Sequence, residues 1–384
     1  MTTLSNISLN LPSSVQEDIN FLKNLFKPYT SRVYIVGGTL RNHFLNTINN
    51  SNDIDIEVHG ISTDTFDTLM NHIKASGVGK SFFVYKYKDI DISLGRVESK
   101  IAYGHTGFEV ALAQDEKTAS IRRDFTMNAL MLNIYTNEVL DFHNGLNDIK
   151  NKVLKIVNKT SFFEDSLRVL RAVRFASIYD LKIDINSLNI MKTMDIDDLS
   201  TSRISTELKK IFKSSYTYKG LYYLIVTNIF YKLFSYRISI KEFIYLYRYI
   251  KKASCYYDKE LYELYFLFIL KKCLNIDFMN LNLPNRYKQI NKEPYILDTI
   301  SDEELLYLAT FKSINKYLDA TNIIIINKAK KLNIYYNILE INIDVKIILD
   351  AGFIGKDIAL QIEEKKKQYI KNLLLSHNVV TDIN

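Results

Sequence analysis

Cysteine, proline, glycine and long apolar runs are all scarce in this chain of 384 residues. The two cysteines, Cys255 and Cys273, form neither a metal-binding spacing nor a disulfide framework, which favours a reducing compartment. With 4 prolines and 12 glycines, long structureless stretches are not expected. Apolar runs such as Tyr262–Leu270 are shorter than the ~18 residues of a membrane span, and Met1–Asp18 lacks a signal-peptide pattern. We therefore expect a cytoplasmic protein without a membrane partner, in which Tyr262–Leu270 is a buried helix.

Neither sign of charge dominates the composition. Lys and Arg number 50 and Asp and Glu number 43, which gives a formal net charge of +7. Such a mildly basic protein is compatible with binding to a polyanion, but the charge alone does not require it. Hydrophobic residues make up 47% of the chain, enough for substantial cores, and the length suits two to four small domains.

The sequence patterns change along the chain. Most glycines lie before about residue 150, where helical and strand-like patterns alternate; one predicted helix carries Val15, Ile19 and Leu22 after Pro12. From about Thr160 onward, helical periodicity dominates. We therefore predict an α+β fold in which helices pack on a mixed sheet and an all-helical region follows.

Two aspartates, Asp53 and Asp55, are separated by one residue in a predicted strand. Alternate side chains of a strand share a face, so both carboxylates point the same way. Two carboxylates held this close repel each other unless a cation lies between them, and oxygen ligands suit Mg²⁺. A surface strand with two solvated acids is the alternative, and it would be preferred if the motif stood alone.

A third acid, Asp91, lies in a second predicted strand, with Asp89 as the competing candidate. If the two strands are neighbours, three carboxylates converge. Two-metal nucleotidyl transfer needs such a site, because one ion lowers the pKa of the attacking hydroxyl and the other neutralises the departing pyrophosphate.

A glycine pair, Gly37 and Gly38, follows the predicted strand Arg32–Val36 and opens a predicted helix. Glycines let a phosphate approach the backbone closely, and a helix N-terminus offers free N–H groups. Arg41 lies one turn further on. An ordinary turn is the alternative for the glycine pair alone, but an Arg at this spacing and a following pair of aspartates favour a phosphate site that faces a metal site.

Arg122, Arg123 and Asp124 form a second charged motif. The arginines could contact a triphosphate and ribose, or they could simply be favourable charges at a helix C-terminus.

A row of charges, Asp165, Arg168, Arg171 and Arg174, recurs at every third position of a predicted helix with an apolar stripe of Leu167, Leu170 and Val173. A salt-bridge ladder within the helix is one interpretation, and Arg174 has the best claim to a structural role. Nucleobase selection is the other. Cytosine and adenine both present an amino donor beside a ring-nitrogen acceptor, which a carboxylate and a guanidinium match, whereas guanine and uracil reverse that order.

Five ordered segments carry a family resemblance: GGTLR, DIDIEVHG, DISLGR, RRDFTMNA and EDSLRVLRAVRF. Together they resemble the class II tRNA nucleotidyltransferases and bacterial poly(A) polymerases, most strongly between residues 32 and 212. This resemblance implies a polymerase-beta-like nucleotidyltransferase head over residues 1–150. A helical neck for base selection (151–215), a helical body (216–310) and an RNA-binding tail (311–384) would follow.

The resemblance also implies an activity, which is Mg²⁺-dependent addition of CCA to the 3′ end of tRNA from CTP and ATP. The protein would bind the acceptor arm of tRNA, and DNA is not an expected partner. Asp53 and Asp55 would bind the metal, and Asp91 would complete the catalytic acids. The implied nucleotide-binding residues are Gly37, Gly38, Arg41, Arg123, Asp124, Asp165, Arg168, Arg171 and Arg174.

Three departures from the family pattern and several alternatives remain. Ser166 and Gly95 stand where the family usually has Pro, and Asp141 lacks the Pro that usually follows it. Within the same enzyme class, the alternatives are a poly(A) polymerase and enzymes that add only CC or only A. An inactive RNA-binding relative and an enzyme that transfers nucleotides to a small molecule are more remote alternatives.

Overall fold

A computed structural model describes residues 2–47, 54–79, 83–100 and 108–381. The chain divides into two compact units, Met1–Arg237 and Ile238–Asn384. The finer division into head, neck, body and tail stays a prediction. Within the described ranges, no helix combines the length and apolarity needed to cross a membrane.

A mixed β-sheet forms the centre of the first half of unit 1. Among the described residues it has eight strands in the order β1-β10-β9-β2-β3-β6-β5-β4, with β3 and β6 parallel and the other neighbours antiparallel. A separate hairpin joins β7 and β8, and a short parallel pair joins β11 and β12. The strands are β1 Thr2–Leu4, β2 Val33–Val36, β3 Ile54–Val58, β4 Ser76–Gly79, β5 Val84–Tyr87, β6 Ile90–Leu94, β7 Arg96–Lys100, β8 Phe108–Leu112, β9 Met131–Asn133, β10 Val139–Asp141, β11 Val153–Leu154 and β12 Lys182–Ile183.

The helices of unit 1 follow from apolar spacing and capping. Helix α1 buries Val15, Ile19, Leu22 and Phe26 on one face, and Phe26 stacks on a phenylalanine of α3. The Ser62 side chain caps α3. The helices of this unit are α1 Ser13–Phe26, α2 Gly38–Phe44, α3 Thr63–His72, α4 Glu116–Ser120, α5 Gly145–Lys150, α6 Lys159–Phe163, α7 Leu167–Tyr179, α8 Ile185–Lys192, α9 Thr201–Phe212, α10 Thr217–Val226 and α11 Ile229–Phe234.

Helix α7 is the centre of the helical part of unit 1 and packs against α9 and α10. Its apolar face is broader than the predicted stripe, because Val169 and Ala172 are buried together with Leu170 and Val173. Leu167, predicted to belong to that stripe, is instead only partly buried. It lies at the first turn, where α7 faces a cleft rather than the core.

Unit 2 is helical within its described residues. Helix α13 is buried over most of its length, which confirms the prediction for Tyr262–Leu270. Ser239 and Ser301 form capping boxes at the starts of α12 and α15. The helices are α12 Ile240–Ala253, α13 Lys259–Leu274, α14 Asn285–Lys288, α15 Asp302–Ala309, α16 Ile323–Lys331, α17 Val345–Asp350 and α18 Lys356–Thr381. The mixed sheet followed by helices confirms the predicted α+β class.

Candidate active site

Asp55 and Asp91 lie side by side at one edge of the site. They stand directly opposite each other on the parallel strands β3 and β6, so their side chains share one face of the sheet. Asp55 is exposed, and the Asp91 side chain is 46% exposed. Asp89 precedes β6 in a turn, so Asp91 is the acid that the strand aligns with Asp55. Asp53 lies outside the described residues.

This pair, the acidic edge, has the chemistry of a hard-cation site. Asp91 Oδ1 is buried and has no hydrogen-bond partner among the described residues. The Lys86 ammonium stands 3.7 Å from it, beyond hydrogen-bond distance. No cluster of three or more potential metal ligands occurs within the described ranges, which leave out Asp53. The two carboxylates nevertheless fit Mg²⁺, because that ion prefers carboxylate oxygens and keeps several waters.

The glycine turn brings the backbone close to the acidic edge. Gly37 has a φ of +72°, in the left-handed region that favours glycine. A Cβ at this position would stand 2.9 Å from Asp55 Oδ2 and 3.7 Å from an Arg123 terminal nitrogen. Gly37 therefore serves both the turn conformation and the close approach of an acid and a guanidinium.

Arg41 is held in place by residues of the sheet-containing half of unit 1 and by residues of helix α7. One terminal nitrogen donates to Asn128 Oδ1 at 2.9 Å, and the guanidinium also donates to Asn42 Oδ1. The guanidinium lies 4.8 Å from the ring centroid of Phe175 and 5.1 Å from that of Tyr179, both on α7. The Tyr179 hydroxyl donates to Asn42 Oδ1 at 2.9 Å. Helix α7 thus orients an arginine that α2 carries.

Arg122 and Arg123 share a carboxylate that sequence reasoning missed. Both donate to Glu57 Oε2, at 3.0 and 2.9 Å, and His59 Nε2 lies 3.0 Å from Glu57 Oε1. Glu57 is fully buried. Burial alone would raise the pKa of Glu57, but Arg123, His59 and Arg122 hold it well below its usual range. The sequence feature that points to Glu57 is its i+2 spacing from Asp55, which places both acids on one face of β3.

Asp124 is buried beneath the arginines. It accepts from Arg171 through Nε at 2.8 Å and a terminal nitrogen at 2.6 Å, and from the Asn128 amide at 2.8 Å. Burial opposes ionisation, but Arg171 and Asn128 outweigh it and lower the pKa of Asp124 to about 2. Asp124 is therefore a charged counter-ion that fixes Arg171.

The Asp165 and Arg168 side chains have different partners from those that a salt-bridge ladder would give them. Asp165 Oδ1 accepts from Arg203 at 3.3 Å. Arg168 donates to the backbone carbonyls of Ser161 and Arg122, at 2.7 Å each. These two side chains are thus fixed by contacts outside their own row, and Arg203 is not among the predicted site residues.

Arg174 lies behind the site. Its side chain is buried, forms an ion pair with Glu207 at 2.8 Å and stacks 4.3 Å from the centroid of the Phe175 ring. This is the structural environment that the sequence favoured for Arg174, and its predicted nucleotide contact stays a prediction.

Nine of the predicted residues line one cleft of about 410 Å³, whereas Asp91 and Arg174 are not among the described residues that line it. Those that line it are Gly37, Gly38, Arg41, Asp55, Arg123, Asp124, Asp165, Arg168 and Arg171. The cleft is also lined by Arg122, Asn128, Leu167 and Arg203. Because the acids and most of the arginines come from distant parts of the chain, their convergence supports a single binding site.

Each departure from the family pattern has local compensation. A Cβ at Gly95 would stand 2.1 Å from His59 Cε1, so glycine makes room for the imidazole. The Ser166 hydroxyl donates to Asp198. Asp141 accepts from the backbone N–H groups of Gly145 at 2.8 Å and Leu146 at 2.9 Å, which fixes its turn without proline.

Comparison with known proteins gives a consistent picture. Residues 33–155 match the poly A polymerase head domain. The CCA-adding enzyme of Buchnera aphidicola subsp. Baizongia pistaciae is 34% identical over 212 residues, which are 51% of this chain and 47% of the relative. The chain thus spans about half the length of the curated relatives it matches.

Solved structures of similar fold cover nearly the whole chain. The Bacillus stearothermophilus CCA-adding enzyme in complex with CTP has a TM-score of 0.62 at 17% identity, over 97% of this chain and 99% of that one. The Thermotoga maritima CCA-adding enzyme complexed with tRNA has a TM-score of 0.62 at 19% identity, over 94% and 92%. At these identities the likeness shows the fold. The resemblance predicted from the sequence motifs is confirmed.

Proposed function

We propose that this chain, whose residues 33–155 match the poly A polymerase head domain, adds nucleotides to the 3′ end of RNA, specifically CCA to tRNA. The observation that carries the proposal is the cleft in which Asp55 of the acidic edge, a glycine turn and six arginines meet. Such a site suits a nucleoside triphosphate with its metal, because the triphosphate needs cations on every side.

The acidic edge would hold Mg²⁺ through Asp55 and Asp91, together with Asp53. The chemistry supplied there would be that of two metal ions, one lowering the pKa of the primer 3′-hydroxyl and the other neutralising the leaving pyrophosphate. Asp55 lies within reach of the glycine turn, so the metal-bound phosphates would rest against the backbone at Gly37 and Gly38.

The arginines would bind the rest of the triphosphate. Arg41 and Arg123 line the cleft with guanidiniums already oriented by side-chain partners. Pre-orientation reduces the ordering cost of binding, which raises affinity without adding contacts. On binding, phosphate oxygens would replace the water molecules at the Arg41 and Arg123 guanidiniums.

Base selection would fall to Asp165 and Arg168. The Asp165 carboxylate would accept from the amino group of cytosine or adenine, and the Arg168 guanidinium would donate to the ring nitrogen. Both side chains line the same cleft as the phosphate-binding arginines. Arg203, which contacts Asp165, would keep that carboxylate oriented.

Transfer RNA is the proposed acceptor, and the cytoplasm is the proposed compartment. The named relatives are CCA-adding enzymes, and one similar structure holds tRNA. The mildly basic charge is compatible with a phosphate-backbone contact that weakens as salt rises.

The test is end-extension of a tRNA transcript that lacks its last three nucleotides, with Mg²⁺ and with CTP, ATP or both. Two additions with CTP and a third only when ATP is also present are expected. Addition of C alone, or of A only to a primer ending in CC, would instead identify a partial enzyme. A long A tract on unrelated RNA would identify a poly(A) polymerase. Binding of tRNA without extension would refute the proposal, and a DNA oligonucleotide of the same 3′ sequence serves as the unextended control.

A further inference from the structure

Glu57 is a buried carboxylate placed directly behind the arginine side of the cleft. We infer that it is a positioning residue for the triphosphate of the incoming nucleotide, acting through Arg122 and Arg123. The inference rests on the proposed function, because it assigns the two guanidiniums to the phosphates. Both arginines line the cleft, and both reach the same Glu57 oxygen, at 3.0 and 2.9 Å.

The shared Glu57 oxygen offsets the repulsion between the two adjacent arginines and restricts their rotamers. Neighbouring guanidiniums repel each other and, with their long side chains, adopt many rotamers. One carboxylate between them fixes both and leaves other N–H groups of each fork for a ligand. The Arg123 fork is held within 3.7 Å of the Cβ position of Gly37, beside the predicted phosphate turn.

The second oxygen of Glu57 is fixed as well. His59 Nε2 lies 3.0 Å from Oε1, and the imidazole meets the Tyr34 ring edge to face with centroids 5.8 Å apart. The missing side chain at Gly95 leaves room for the imidazole. With both oxygens engaged, the carboxylate cannot rotate away from the arginines.

A second carboxylate, Glu116 at the start of α4, forms a comparable clamp away from the cleft. Glu116 binds the Arg32 guanidinium through both oxygens, at 2.8 and 2.9 Å, and accepts from the Tyr34 hydroxyl at 2.8 Å. Arg32 lies outside the set of described residues that line the cleft. Glu116 is therefore a matched control for Glu57.

The experiment compares wild type, Glu57→Gln and Glu116→Gln. Calorimetry without RNA measures binding of CTP, ATP and tripolyphosphate, and primer extension measures KM and kcat for both nucleotides. Glu57→Gln keeps the shape and one acceptor oxygen but removes the negative charge that holds the two arginines together, so KM for CTP and ATP should rise together, about tenfold, with a smaller change in kcat. Tripolyphosphate binding should weaken in parallel, because the effect does not involve the base. Glu116→Gln should leave both measurements unchanged.

A double-mutant cycle with Arg123→Gln separates positioning from folding. If Glu57 acts through this arginine, the double variant loses less CTP affinity than the sum of the two single variants, and any loss beyond that of Arg123→Gln alone reports the remaining contact with Arg122. The double variant also replaces both members of the Glu57–Arg123 ion pair, so it does not leave the Arg123 charge without its acceptor. It therefore remains informative if Glu57→Gln alone unfolds. Wild-type KM in Glu57→Gln, or additive losses in the double variant, would overturn the inference. A wild-type protein that binds CTP but does not extend tRNA would refute the proposed function instead, and would leave the Glu57 test intact.

Discussion

The acidic edge and the arginine side of the cleft are built in opposite ways. Asp91 keeps a buried oxygen with no hydrogen-bond partner among the described residues, and Asp55 beside it is exposed. The six cleft arginines, in contrast, already bind protein acceptors: Arg41, Arg122, Arg123, Arg168, Arg171 and Arg203. The guanidiniums are thus oriented by the protein itself, whereas the acidic edge keeps on Asp91 a carboxylate oxygen that has no hydrogen-bond partner within the described residues, as the proposed cation site requires.

The largest effect should follow from neutralising the acidic edge. Asp55→Asn and Asp91→Asn each remove a negative charge from the proposed metal site, so kcat for extension should fall on the order of 10³-fold. Binding of CTP without divalent cations should persist, because the arginines are intact. Asp64→Asn, at an exposed position in the first turn of α3, is the control that should retain wild-type rates. Near-normal kcat in either edge variant would remove that carboxylate from the mechanism.

The next effect concerns the stability of the arginine side and its dependence on pH. The folded-state pKa of Asp124, about 2, lies below the ~3.9 of an unfolded Asp, so its contribution is present above pH 4 and is lost as the pH falls towards 2. The free energy of unfolding should therefore drop by about 2–3 kcal/mol through this residue over that window. Urea titrations at pH 5, 4, 3 and 2 measure the drop. Asp124→Asn should be less stable at pH 7 and should show a shallower slope; an equal slope would contradict the assignment.

A smaller effect is expected on base choice. Asp165→Asn replaces an acceptor by an amide that also donates, so the carbonyl oxygens of uracil and guanine become acceptable partners. The ratio of UTP to CTP incorporation should rise about 10- to 100-fold, which is the discrimination against the wrong base that one pair of hydrogen bonds to a base edge provides. Single-nucleotide extension assays measure it, with exposed Asp197→Asn as the control. Unchanged discrimination in Asp165→Asn would show that base reading lies elsewhere.

The smallest effect tests how α7 orients Arg41. Tyr179→Phe keeps the ring beside the guanidinium but removes the hydroxyl that donates to Asn42. Loss of one hydrogen bond of about 1 kcal/mol should raise KM for CTP about fivefold. Tyr135→Phe removes a hydroxyl that donates to the Lys23 carbonyl outside the cleft lining, and KM should not change. Equal behaviour of the two variants would show that the Asn42 contact does not matter for Arg41.

Local pattern predicted much of the fold and many of the site positions. The spacing of Val15, Ile19 and Leu22 gave α1, and the alternation around Asp55 gave the strand that aligns it with Asp91. These features depend on near neighbours in the sequence, where period and turn chemistry are informative.

The partners of the site residues could not be predicted in the same way. The strand pattern places Glu57 on the same face of β3 as the exposed Asp55 and therefore predicts that Glu57 is exposed. The structure instead buries it against Arg122 and Arg123, which are 65 and 66 positions away. Asp165 meets Arg203, which is 38 positions away on α9. Such pairings depend on how elements pack, so a single sequence gives the charges but not the partner of each charge.

The contact between Arg168 and the carbonyl of Arg122 has a consequence for how this site tolerates mutation. A main-chain oxygen is present whichever amino acid occupies position 122, so side-chain substitutions there cannot delete the acceptor. The contact between α7 and the backbone at position 122 therefore persists when the side chain at that position is changed. Selection for a new substrate could alter the side chain at position 122 while the geometry of Arg168 is inherited unchanged.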